Sequence, residues 1–454
     1  MNISIVGTGY VGLVSGVCLA EKGHNVVCMD IDKNKVDRIN AGEAPIYEDG
    51  LSELLQRNIG KRLSATTDLA GAVSDSSLTM IAVGTPFDGT AIDVSYIESA
   101  SAAIGKALEN KKGTHTVVVK STVVPGTTDD VVAPILEKES GKHIGDGIGL
   151  SMNPEFLREG VAISDFMEPD RIVYGGSDKQ TLAAMDDLYA VFEGVDKVRT
   201  TNKTAEMIKY TANSLLATMI SFSNEIANLC SSLGDIDVKN VMHGVHLDRR
   251  LSPIMASGER VVPSITTYLE AGCGFGGSCF PKDVKALISH GEASGQSMEL
   301  LESVIRINHA QPLRIVDLLH KSFESLQGRK VSVLGLAFKP GTDDMRESPS
   351  VPIIRALHEE GAEIAAFDPI ATQEARKMLG DVPVRYDESL LDAIAGAEAI
   401  VLVTAWDEFM ILPELVNSMD IPPVIVDGRR VIDKASVPRY FGIGLSESHH
   451  VKGS

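Results

Sequence analysis

The run Gly7-Thr8-Gly9-Tyr10-Val11-Gly12 follows the apolar stretch Ile3–Val6 and opens a helical pattern, Val11–Lys22. This order constrains the fold more than any other feature of the chain. The first glycine permits a tight turn, the second lets backbone meet a pyrophosphate, and the third lets helix lie close on strand. A diphosphate then rests on the helix N-terminus, where uncommitted N–H groups and the dipole favour an anion. Asp30 closes a second strand-like run, Val26–Met29, 18 residues after Gly12. A carboxylate there bonds ribose hydroxyls and repels a 2′-phosphate, so the expected cofactor is NAD; Lys35, which would suit a phosphate, is the weaker signal. Tyr10 and Val11 belong to the same expected site. So do Thr85 and Thr122, in loops that follow strand-like runs, where doubly wound sheets collect ligands. The commoner role of such hydroxyls is to cap the next helix.

Alternation extends the pattern. Ile3–Val6, Val26–Met29, Leu78–Val83, Thr116–Lys120 and Ile148–Met152 read as buried strands. Val11–Lys22, Lys33–Ala41, Ser95–Leu108 and Thr127–Ser140 read as helices between them. Such alternation predicts a parallel sheet with helices on both faces. From Lys203 to Leu233 the chain is proline-free and helical in period, a linker and dimer element. Alternation returns with strands at Lys330–Leu334, Glu363–Phe367, Ala399–Val403 and Val424–Val426 and a helix at Val351–Glu360. The expected fold is α/β. Two Rossmann-like doubly wound parallel-sheet domains, residues 1–200 and 312–454, are joined by a long central helix and a helical middle region, 201–311.

Lys and Arg number 42 against 62 Asp and Glu, a net charge of −20, which argues against nucleic-acid or anionic-membrane partners. An anionic substrate then needs local cations. The five cysteines show no disulfide framework and no CxxC pair, so no metal is expected, and Cys18 and Cys28 read as buried hydrophobes. No signal-peptide pattern or membrane-length apolar run is present, and a cytoplasmic location is expected. The polar end, with His449 and His450, reads as a frayed tail.

Cys279 lies in Gly274-Phe275-Gly276-Gly277-Ser278-Cys279-Phe280-Pro281-Lys282-Asp283. Glycines leave bare backbone around the thiol, and Lys282 and Asp283 are placed to bias it toward thiolate. A nucleophilic thiol beside a hydride acceptor can trap an aldehyde, pass through a thioester and release an acid. Asn153-Pro154-Glu155-Phe156-Leu157-Arg158-Glu159-Gly160 follows the last strand of the first sheet. Its carboxylates, four apart, share a face if the segment is helical, and either Glu155 or Glu159 can hold a water; a solvated helix start is as good a reading of Glu159. Lys209 and Asn213 are also four apart, and a lysine amid apolar residues can stabilise an oxyanion, although an isolated pair of this kind is more often a solvated face.

These motifs, with Asn224-Glu225 and Phe338-Lys339-Pro340-Gly341-Thr342-Asp343-Asp344 followed by Arg346-Glu347-Ser348, resemble the UDP-glucose/GDP-mannose dehydrogenase family over essentially the whole chain. The resemblance implies NAD-dependent, four-electron oxidation of a nucleotide sugar at C6, with UDP-glucose the leading substrate. GDP-mannose and UDP-N-acetylhexosamines are the alternatives, and a two-electron β-hydroxyacid-type dehydrogenase the more distant one. It implies Cys279 as nucleophile, Lys209 with Asn213 at the oxyanion, Asp283 and Glu155 handling water, and Thr122 positioning it. It implies Glu159, Lys282 and Arg346 on the cofactor. For the sugar nucleotide it implies Phe156, Leu157, Tyr268, Gly276, Phe280, Phe338, Lys339 and Arg429, and Arg249 or Arg250, of which Arg250 is taken forward. It also implies a homodimer. Where many members carry GxDxRIG, this chain reads His246-Leu247-Asp248-Arg249-Arg250-Leu251-Ser252, then an insertion through Ser264, with Glu270 beyond it.

Overall fold

The computed structural model describes residues 1–446; the tail with His449 and His450 lies outside the described residues. The chain divides into two compact units, 1–212 and 213–454.

In the first unit, seven strands run β1 (Asn2–Val6), β2 (Asn25–Met29), β3 (Leu63–Thr66), β4 (Leu78–Ile81), β5 (His115–Val119), β6 (His143–Ile144) and β7 (Gly147–Met152). They form one sheet in the order β3-β2-β1-β4-β5-β7-β6. Every pairing is parallel. Strand side chains alternate between faces, and here they sort into two cores. Ile3, Ile5, Leu78, Met80 and Val118 join one cluster, with Leu13 and Val17 of the helix Tyr10–Glu21. Val6, Ile81, Val117 and Val119 join the other, with Ile97 and Ile104 of the helix Ser95–Leu108. β4 stops at Ile81, short of the expected Val83, because β1 turns away at Gly7. The Ala82 carbonyl runs close beneath that turn. The expected helix Thr127–Ser140 opens with a π-helical stretch, Thr127–Val132. There the buried Glu206 accepts N–H groups of Gly126 and Thr128 at 2.6 and 2.8 Å and the Thr128 hydroxyl at 2.7 Å. A separate parallel pair, β8 (Arg171–Gly175) and β9 (Asp196–Thr200), precedes the long helix Asn202–Leu233.

The second unit carries a six-stranded parallel sheet. Its strands are β10 (Lys330–Leu334), β11 (Glu363–Phe367), β12 (Val384–Tyr386), β13 (Ala399–Leu402), β14 (Val424–Asp427) and β15 (Tyr440–Gly442), ordered β12-β11-β10-β13-β14-β15. Alternation again sorts two cores: Val331, Val333 and Val401 on one face, Leu334, Ile400 and Leu402 on the other. At the end of β11, Asp368 is buried and accepts five N–H groups. Leu336, Ala337 and the Trp406 indole reach one oxygen at 2.7, 3.1 and 3.2 Å, and Ile370 and Ala371 reach the other at 2.9 and 2.8 Å.

Asp368→Ala leaves several of those donors unsatisfied and is expected to cost about 3 kcal/mol. Trp406 is the chain's only tryptophan, so urea unfolding followed by its fluorescence reads this unit directly. A midpoint equal to that of the unaltered chain refutes the assignment.

Candidate active site

Gly7 has φ +100°, and a Cβ there would sit 2.6 Å from the Ala82 carbonyl oxygen. A Cβ on Gly12 would lie 1.9 Å from the Gly7 carbonyl oxygen. Both glycines are therefore demanded by the protein's own backbone. Gly9 differs: a Cβ there meets nothing within 4 Å. It caps the helix Tyr10–Glu21 and brings no side-chain hydrogen bond to the first-turn N–H groups. An uncapped helix start beside an open glycine fits the diphosphate of NAD.

Asp30 ends β2 and is buried. One oxygen accepts the Thr8 N–H at 2.8 Å and the Thr8 hydroxyl at 2.6 Å; the other accepts the Asp32 N–H at 3.0 Å. Burial pushes its pKa up, but these hydrogen bonds and the charge of Lys35 outweigh that and hold it below the usual carboxylate range. Asp30 thus fixes the glycine turn and retains lone pairs for ribose hydroxyls. The Tyr10 hydroxyl donates a very short hydrogen bond to Glu48. Glu48 also accepts the N–H groups of Gly160 and Ala162, each at 2.7 Å, so it ties the fingerprint helix to the segment after Glu155. Sequence reading passed over Glu48, since an isolated carboxylate in a loop carries no local signal. Thr85 donates to the Thr122 carbonyl at 2.8 Å, joining the two loops expected at the nicotinamide end.

The segment from Asn153 to Arg158 is irregular rather than helical, so Glu155 and Glu159 do not share a helical face. Glu155 is buried and binds the Lys209 ammonium at 2.8 Å; its other oxygen accepts the Leu157 N–H at 2.5 Å. Burial raises its pKa, yet Lys209, the Leu157 N–H and Lys120 together bring it below the usual range. Glu159 lies near enough to Tyr10 for their charges to interact. Phe156 lies near two cations, with Arg171 at 4.1 Å and Lys209 at 5.5 Å from the ring centroid, while Leu157 packs on the core beside the first helix.

In the second unit, Cys279 is half-buried, whereas Cys18, Cys28, Cys230 and Cys273 are buried. It caps the helix Phe280–Ala293. Its thiol therefore sits at the positive end of a helix, which favours thiolate. Lys282 is turned to Asp283 at 2.6 Å. Asp283 is buried and also accepts from Asn213 at 2.7 Å, on the long helix one turn beyond Lys209. The glycines before Cys279 make room for protein. A Cβ on Gly276 would lie 2.3 Å from the Glu347 carbonyl oxygen, and one on Gly277 would lie 2.7 Å from the Phe338 ring. The Gly277 N–H donates to the Arg346 carbonyl at 2.8 Å. Asn308 grips Phe275 through both backbone groups, at 2.8 and 2.9 Å. Tyr268 and Phe280 have ring centroids 6.3 Å apart. Arg429 reaches the Val403 carbonyl at 2.6 Å and the Gly274 carbonyl at 3.1 Å. The Lys339 ammonium lies 5.5 Å from the Phe338 ring, and Arg346 pairs with Asp344 at 2.8 Å. Arg250 stands apart, exposed and folded back on Asp248 at 2.5 Å.

Two glycine substitutions separate scaffold from site. Gly7→Ala is expected to cost about 2 kcal/mol of stability through its left-handed backbone and the Ala82 clash. Gly9→Ala is expected to leave the melting temperature unchanged while weakening NAD binding about tenfold, or about 1.4 kcal/mol. Calorimetry of both variants checks the pair; wild-type NAD affinity in Gly9→Ala refutes the diphosphate placement.

Three domain models of the UDP-glucose/GDP-mannose dehydrogenase family match the chain: its NAD-binding domain over residues 1–193, its central domain over 203–310 and its UDP-binding domain over 332–434. A UDP-glucose 6-dehydrogenase of Haloferax volcanii is 42% identical, covering 96% of this chain and 98% of its own length. Another, of Bacillus subtilis, is 42% identical over 95% of this chain and 89% of its own. The structure of a UDP-glucose dehydrogenase from the archaeon Pyrobaculum islandicum superposes with a TM-score of 0.87 at 40% identity, covering 97% of each chain. A UDP-D-ManNAc dehydrogenase from Pyrococcus horikoshii superposes with a TM-score of 0.82 at 28% identity, covering 98% of this chain and 99% of that one. The chain belongs to the UDP-glucose/GDP-mannose dehydrogenase family and is an NAD-dependent nucleotide-sugar 6-dehydrogenase.

Proposed function

We propose that this chain oxidises UDP-glucose to UDP-glucuronate through covalent intermediates on Cys279. The observation that carries the reading is the half-buried Cys279 at a helix N-terminus, one turn before the buried Asp283. NAD, when bound, supplies a hydride acceptor for each of two oxidations. The first removes a hydride and a proton from the C6 alcohol and leaves an aldehyde. The Cys279 thiolate then adds to that carbon, forming a C–S bond and a thiohemiacetal. Loss of a second hydride leaves a thioester. Water attacks the acyl carbon, the C–S bond breaks, the thiolate departs and the acid remains. Lys209, with Asn213, stabilises the oxygen charge that develops on C6, Asp283 and Glu155 handle the hydrolytic water, and Thr122 positions it. Covalent capture also keeps the aldehyde from escaping between the two oxidations.

A homodimer is part of the same proposal. Leu215, Met219, Phe222, Ile226, Leu229 and Leu233 recur at alternating four- and three-residue spacing on the long helix. Leu215, Phe222, Leu229 and Leu233 are 53, 49, 52 and 63% exposed. An exposed apolar seam at that spacing fits the same seam of a second copy.

Three measurements test these readings. With UDP-glucose, UDP-N-acetylglucosamine, UDP-galactose and GDP-mannose offered in turn, UDP-glucose should turn over fastest with two NADH per sugar. One NADH per sugar refutes the thioester route, and preference for another sugar refutes the substrate. Cys279→Ser should lose acid formation on the order of a thousandfold with NAD affinity retained. Phe222→Glu with Leu229→Glu should halve the mass measured by light scattering; a mass unchanged by the charges places the dimer contact elsewhere.

A further inference from the structure

Lys120 follows the last residue of β5 and is only 3% exposed, yet the chemistry above gives it no task. An ammonium carries three N–H donors. Among the described residues one hydrogen-bond acceptor meets it, Asn153 Oδ1 at 3.0 Å. Asn153 is itself held fast. Its N–H donates to the Val119 carbonyl at 2.8 Å, its side-chain amide donates to the Val173 carbonyl at 2.7 Å, and the Tyr189 hydroxyl donates to the same Oδ1. The Phe166 ring lies 6.0 Å from the Lys120 ammonium. The charges that act on Lys120 are Glu155, two residues beyond Asn153, and Lys209 on the long helix. A buried lysine with one acceptor is an unfavourable way to fill space. Methionine would occupy a similar volume without that cost.

We propose that Lys120 is a positioning residue for Glu155, its ammonium anchored on Asn153 and keeping the neighbouring carboxylate ionised for the water-activating step. This rests on the hydrolytic role given to Glu155 above. The buried trio Lys120, Glu155 and Lys209 holds two cations and one anion. Lys209 is directly paired with the carboxylate. Lys120 adds charge without occupying a carboxylate oxygen, which leaves Glu155 lone pairs for water. Burial, with Lys209 acting in the same direction against Glu155, brings Lys120 down to about 8.

The test compares Lys120→Met, Lys120→Arg and Glu155→Gln. Without the cation Glu155 protonates more readily, so the acid limb of kcat against pH should move up by about one unit in Lys120→Met. Lys120→Arg should keep the limb at its original position. In the Glu155→Gln background, Lys120→Met should add no further shift. A second readout needs no turnover. At Lys120 the folded state binds fewer protons than the unfolded state between pH 8 and the ordinary lysine range, so the stability this residue costs is recovered as pH rises across that window. Lys120→Met should therefore melt higher than wild type at pH 7, with the advantage shrinking toward pH 10. If the methionine variant does not fold, Lys120→Gln, which keeps a donor for Asn153, carries the pH-profile test. An unmoved acid limb overturns the proposal, and so does a methionine variant less stable than wild type at pH 7. If Glu155→Gln hydrolyses normally, the role of Glu155 falls and the proposal with it. The two-NADH count of the wild-type chain still stands or falls separately.

Discussion

A carboxylate at the end of a sheet's second strand holds the turn after its first strand, and both units depend on this contact. In the first unit Gly7 turns at φ +100° and donates to the Met29 carbonyl at 2.8 Å, and the next N–H, of Thr8, donates to Asp30 at 2.8 Å. In the second, Gly335 turns at φ +86° and donates to the Phe367 carbonyl at 2.9 Å, and the next N–H, of Leu336, donates to Asp368 at 2.7 Å. The four central strands also share one order in the two sheets, second-first-fourth-fifth matching β11-β10-β13-β14. Without such an acceptor each turn would bury N–H groups unpaired, a cost in kcal/mol rather than tenths. Asp368 is saturated by protein donors, whereas Asp30 accepts three and serves an uncapped helix start. The same device is closed in one sheet and left open in the other.

Charge is buried around Glu155 at a real energetic cost. Lys209 and Glu155 pair at 2.8 Å with side chains almost wholly out of solvent, and pairs of this kind rarely add stability. Their worth is geometric. A carboxylate fixed by Lys209, by the Leu157 N–H and by the field of Lys120 cannot swing to solvent or neutralise near pH 7. The hydrolysis proposed for this chain needs a carboxylate with both properties.

Legibility from sequence followed local periodicity. β1, β2, β5, β7 and the long helix were visible because buried β-branched runs and helical period are written within one segment. β3, β12 and β15 were not. They are three- or four-residue strands toward the sheet margins, and their partners rather than their composition make them strands. The family was legible through motifs, and Cys279, Asp283, Asn213, Glu155 and Lys209 are among the residues that carry them. Lys120 was hidden because one lysine ending an apolar run reads as a solvated boundary. The glycines at 276 and 277 were visible, but their reason was not, since it lies in Phe338 and Glu347, about sixty and seventy residues away.

Those glycines show how the thiol is held. Glu347 sits at φ +52°, a backbone region costly for a side chain of its size. Its carbonyl rests where a Cβ of residue 276 would be, and its carboxylate binds Lys285 at 2.9 Å on the helix that Cys279 begins. Arg346 takes the Gly277 N–H, and Phe338 covers the same glycine. One loop of the second sheet therefore grips the thiol's segment on both sides of Cys279. A thiol acting as proposed must meet its carbon within a few tenths of an ångström. A free glycine-rich loop would wander further than that, and the strained residue is retained because the clamp restrains it.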